Sequence, residues 1–170
     1  MSAVPPVIPA RRRRDPAEPG LKGLLAVIFW CACGITASQI AMPFTLIATI
    51  GPQAAGSAVV DALSGPSLQS QILRFGVIPQ VALFAWSAAF VAFTVMRLRI
   101  ALTAAPVLLG VWVAISAVCQ FGIRGAISPD GLTVEALAGL FPAILSQIIG
   151  AVAFWAYMRE GQTPRAFFTR

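Results

Sequence analysis

Four stretches of the chain, Leu24 to Ile50, Gly76 to Met96, Ile100 to Gly122 and Leu137 to Met158, each run for more than twenty residues without a charged side chain. A helix rises about 1.5 Å per residue and the hydrocarbon core of a bilayer is about 30 Å thick, so about 20 apolar residues suffice to cross it. All four stretches pass that length. Barrel strands alternate apolar and polar residues, whereas these runs are apolar on every side, which leaves helices as the only spanning structure. With 58% hydrophobic and 11% charged residues among 170, an ordinary soluble core is excluded. The sequence therefore predicts an all-α integral membrane protein, a bundle of four transmembrane helices. Leaving charges out of the spans avoids an insertion penalty of about 2.5 to 3.5 kcal/mol per residue at the helix centre.

Basic residues set the expected orientation. Ten of the twelve fall in three groups: Arg11, Arg12, Arg13 and Arg14 with Lys22; Arg97 and Arg99; and Arg159, Arg165 and Arg170. The segments assigned to the opposite side hold only Arg74 and Arg124. By the positive-inside rule both termini and the central turn are expected in the cytoplasm. The first apolar run, 27 residues long, exceeds the core of a signal peptide and is read as a retained span. Arg13-Arg14 followed by Asp15-Pro16 does not fit a twin-arginine export signal. The basic groups also suit contact with anionic lipids, at about 1 kcal/mol per residue near the surface. Orientation alone also accounts for them, and is the simpler reading. Although the net charge is +6, nucleic acid is not an expected partner, because no soluble domain is present to display the charge.

Three regions follow. Residues 1–22, with five prolines and the arginine run, are expected to form a disordered basic cytoplasmic tail. Residues 23–158 form the four-helix domain, and 159–170 a short cytoplasmic tail. Pro43 removes a backbone donor inside the first span and predicts a kink or loosened turn. The segment from Gly51 to Phe75 reads as an outer loop. Leu68, Ile72 and Phe75 recur at helical spacing and suggest a short interfacial helix before the second span. Pro79, Pro106 and Pro142 are read as lying in the first two turns of their helices. Ser128-Pro129-Asp130-Gly131 marks a turn, after which Glu135 complements the next helix dipole.

Catalysis inside a membrane needs ionisable groups at depth, and the spans hold none. Without histidine, a common haem ligand, a Ser-His dyad and most metal sites are missing. No catalytic, metal or cofactor site is expected. Cys31 and Cys33 point about 200° apart on a helix and cannot converge on one ion. The polar residues of the spans include Gln39, Gln80, Gln120 and Gln147, of which Gln80, Gln120 and Gln147 are the candidates for a polar path; packing across the bundle explains them as well. Small residues at a spacing of four, Ala85 with Ala89, Gly110 with Ala114 and Ser146 with Gly150, are candidate helix-packing faces.

At the fourth span and tail, Trp155-Ala156-Tyr157 followed by a basic, glycine-containing stretch and Phe168 resembles the closing motif of the bacterial inner-membrane family called domain of unknown function 2569. That family has Gly-Gly-Trp where this chain has Gly23-Leu24-Leu25, and its tail differs at Gly161, Thr163-Pro164 and Phe167. The resemblance covers roughly residues 20–170 and implies four spans in a bacterial inner membrane; the family has no assigned activity, so it transfers no catalytic residue. The expectation is a small non-catalytic protein serving as an accessory or structural subunit of a larger membrane complex. A component of an oligomeric transporter or channel is the alternative. Expected partners are the bilayer, anionic lipids, and a larger complex or further copies of the chain.

Overall fold

The structure, a computed structural model, describes residues 20–128 and 133–169. Arg11 to Arg14, most of the Ser128–Gly131 turn and Arg170 lie outside the described residues. Among the described residues six helices follow one another: α1 (Gly23–Ile50), α2 (Pro52–Ser64), α3 (Leu68–Met96), α4 (Ala101–Ile127), α5 (Val134–Glu160) and α6 (Gln162–Phe167). No strand occurs among the described residues. Four of the helices, α1, α3, α4 and α5, are long and apolar enough to cross a membrane.

Helix boundaries differ from the sequence reading in three places, each for a local reason. The loop expected after Ile50 is instead a helix. Gly51 takes φ 83°, a left-handed value that suits glycine, and donates its amide to the Ile47 carbonyl at 2.9 Å; Pro52 then starts α2 at a position that needs no amide donor. The interfacial segment and the second span merge into one 29-residue helix, capped by Ser67, whose hydroxyl accepts from the Ser70 amide at 3.1 Å. Pro79 therefore lies well inside α3 rather than in its first two turns. The C-terminal tail also folds: after Gly161 the chain turns into α6 and buries Phe167 and Phe168.

α3 and α4 form the central pair, with α1 packed on α3 and α5 on α4. Their connection is tight because Arg97 adopts a left-handed conformation, φ 54° and ψ 36°. Its amide reaches the Thr94 carbonyl at 3.2 Å, and that of Leu98 reaches Phe93 at 3.0 Å, the pair of bonds that closes a helix and reverses the chain.

The core is confined to one end of the bundle. Trp86 and Phe90 of α3 stack at 5.9 Å, and Phe154 of α5 meets both edge-on at 5.9 and 5.8 Å. Around this triad close Leu25 and Ala32 from α1, Ala101 and Ala105 from α4, then Met158, Phe167 and Phe168. Because Leu25 and Phe168 share one cluster, the chain enters and leaves the bundle at the same end. The far half is sparsely filled: α5 buries Leu140 there, while Phe141, Leu145, Ile148 and Ile149 stay exposed.

Candidate functional site

Two tryptophans tie the central helices together. Trp86 donates its indole N–H to the Ala105 carbonyl at 3.0 Å, and Trp112 of α4 donates in the opposite direction to the Pro79 carbonyl at 3.1 Å. A carbonyl has two lone pairs, so each bond adds to a helix without removing an intrahelical one. Farther from the core, Gly122 accommodates the Phe75 ring; a Cβ added at Gly122 would lie 2.8 Å from ring atoms.

An open groove of about 850 Å³ lies between α1 and α3, on the half of the bundle away from the core. Gln39 and Gln80 meet at one end of it, with Gln39 Nε2 donating to Gln80 Oε1 at 2.6 Å. Pro43 lines the wall and has no amide to offer the Gln39 carbonyl one turn earlier. Leu46, Val77 and Val81 continue the walls, and Val59 of α2 contributes from above. No ionisable side chain lines the groove. The overhanging helix is held by Arg74, whose guanidinium donates to the Gly65 carbonyl at 2.8 Å.

A smaller notch of about 290 Å³ opens between α4 and α5, lined by Leu109, Trp112, Ser146, Gln147, Gly150 and Ala151. The buried Oε1 of Gln147 has no hydrogen-bond partner there. Its neighbour Ser146 donates to its own helix, to the Ala143 carbonyl at 2.8 Å. The three glutamines of the expected polar path are thus dispersed. Gln80 lies in the groove, Gln147 in the notch, and Gln120 lines neither but donates to Ser116 on its own helix at 3.1 Å. They do not share one cavity.

The small-residue faces lie mostly outward. Ala85, Gly110, Ala114, Ser146 and Gly150 are exposed and Ala89 is half-buried. The residues that allow close packing inside the bundle are others, Ala32, Ser87, Ala101, Ala105 and Ser116. Thr36 Oγ1 lies 2.9 Å from Ser87 Oγ and bridges α1 to α3.

At the core end lie the basic residues. Lys22, Arg99, Arg159 and Arg165 are exposed and Arg97 is half-buried. Arg97 lies over the Phe167 ring at 5.2 Å and Arg159 over Trp155 at 5.1 Å, so two of the five cations rest on aromatic faces. Within the closing motif, Tyr157 packs on the core and Phe168 is buried. Gly161 makes the turn between α5 and α6, where a Cβ would collide with the Tyr157 carbonyl.

Sequence reasoning missed the roof formed by α2 and the floor residue Gln39 as a partner of Gln80. Gly51-Pro52, a helix-starting pair, was the available signal for the first. Among the described residues no group of three or more His, Cys, Asp or Glu could hold a metal ion, and Cys31, Cys33 and Cys119 are all free.

Four helices long and apolar enough to cross a membrane, with a core at one end, support the class of multi-pass membrane proteins. No family model matches the chain, and no curated protein or solved structure matches it either.

Proposed function

We propose that the chain is a small non-catalytic protein of a bacterial inner membrane that packs, as an accessory or structural subunit, against a larger membrane complex. The carrying observation is the outward position of Gly110 and Ala114 on α4 and of Ser146 and Gly150 on α5. Small residues at this spacing let helix backbones approach closely in lipid, where packing rather than hydrophobic burial drives association. Gly110 and Ala114 are exposed, and Ser146 and Gly150 border the open notch between α4 and α5; a neighbouring helix is what these faces suit. Both termini lie in the cytoplasm in this reading, because Lys22, Arg97, Arg99, Arg159 and Arg165 flank the core end. The Trp155-Ala156-Tyr157 and Phe168 resemblance supports the same location.

Affinity purification from native membranes in mild detergent tests the role. A stoichiometric partner protein, lost when Gly110 and Gly150 are both replaced by Leu, is expected; recovery of the monomer alone counts against it. A second reading, a component of an oligomeric transporter or channel, draws on the unpartnered Gln147 Oε1 beside its notch. It requires proteoliposome flux that falls when Gln80, Gln120 and Gln147 are replaced by Leu.

A further inference from the structure

We infer that the groove between α1 and α3 is a binding site for one alkyl chain of a membrane lipid, entering from the leaflet opposite the core end. The length of the groove matches such a chain. Along α1 it extends from Gln39 to Thr49, ten residues or about 15 Å at helical rise, which is half of a hydrocarbon core about 30 Å thick. It therefore covers a single leaflet, closed at the middle of the membrane by the Gln39–Gln80 amide pair and roofed at the interface by α2.

Its chemistry fits the same occupant. The walls are almost wholly apolar, and no charge is available to hold a headgroup inside. Water gains few polar partners in such a space, so an alkyl chain is the component of a bilayer that fills it. A hydrogen bond from Gln39 Nε2 to Gln80 Oε1 crosses the floor there. At the other end, α2 runs between Gly51-Pro52 and Gly65-Pro66, with Val59, Val60 and Leu63 exposed on one side and Gln53, Ser57 and Asp61 available to water on another. An amphipathic helix of this kind lies in the interface, where the glycerol region of a lipid whose chain enters the groove would pass. The site rests on the membrane reading of the four long helices and is independent of the accessory role.

Photolabelling tests it. The full chain is reconstituted in vesicles of phosphatidylethanolamine and phosphatidylglycerol doped with a phospholipid bearing a diazirine on its acyl chain, and adducts are mapped by mass spectrometry. Labelling of 39–49 and 77–84 is expected to exceed that of the exposed α5 face around Val152 by several-fold. Val81→Trp, which fills the groove, should reduce the excess to background, while Val152→Trp should leave it intact. Should Val81→Trp lose helical circular dichroism, the smaller Val81→Phe takes its place. Even labelling along all helices, or an excess unchanged by filling the groove, overturns the proposal. Recovery of no partner protein on purification would leave it standing.

Discussion

Arg97 is placed where a helix closure favours glycine, since a left-handed conformation costs an L-residue about 1 to 2 kcal/mol. Its charge on the turn and its position over Phe167 offset that strain, the ring contact contributing about 0.5 to 1 kcal/mol. Arg97→Gly should therefore leave the thermal midpoint in detergent within a few degrees, whereas Arg97→Val, β-branched and forced to positive φ, should lower it clearly. A midpoint that falls equally in both variants would mean that the guanidinium, not the backbone, dominates. The glutamines offer a contrast of sign. Gln80→Leu breaks the 2.6 Å bond to Gln39 and should cost about 0.6 kcal/mol, at most about 1.7. Gln147→Leu removes a buried acceptor that has no partner, and should be neutral or stabilising in the isolated chain. Reversible unfolding in mixed micelles distinguishes the two. From the sequence these residues looked alike, one glutamine per span, because spacing along a helix does not reveal which neighbour a face meets.

Between elements, close approach decides which glycines matter. Gly122→Ala should push the Phe75 ring away and separate α3 from α4 at the end far from the core, and Phe75→Ala in the same chain should restore most of the lost stability. A double-mutant cycle measures that coupling directly, and additive effects would show that the two residues do not touch. Gly161→Ala acts at the other end. With a Cβ against the Tyr157 carbonyl the turn into α6 opens, and Arg165 should become a faster trypsin site as Phe167 and Phe168 leave the core. The four spans were legible because a run without charges longer than twenty residues has one stable form in lipid. α6 was not, since six residues, Gln162 to Phe167, carry no periodicity long enough to read. Only the placement of Phe167 and Phe168 beside Leu25 and Met158 shows why that segment is helical. α2 escaped although Gly51-Pro52 was a helix-starting signal, because the second pair, Gly65-Pro66, reads as a turn and the thirteen residues between are short for a span.

For the whole molecule, the basic residues of the central turn and of the described terminal segments lie at the same end as the core. Lys22, Arg97, Arg99, Arg159 and Arg165 flank the aromatic cluster, while the far side carries Arg74, which is bonded to the Gly65 carbonyl, and Arg124. With Arg74 turned toward its own chain, little free positive charge opposes insertion with the core end inward. Replacing Arg11 to Arg14 by Ser should consequently leave the topology unchanged, because Arg97 and Arg99 of the central turn and Arg159 and Arg165 of the C-terminal segment remain on that side. The test uses a chain whose Cys31, Cys33 and Cys119 are replaced by Ala, with one cysteine introduced at exposed Ser57 in α2 or at exposed Thr169 after α6. A membrane-impermeant maleimide applied to intact cells should label the Ser57→Cys protein and spare the Thr169→Cys protein, with and without the arginine run. If both sites exchange accessibility when Arg11 to Arg14 are removed, those four residues alone set the orientation. Lys22, Arg97, Arg99, Arg159 and Arg165 would then not direct insertion, and Arg97 and Arg159 would serve the core end through their aromatic contacts alone.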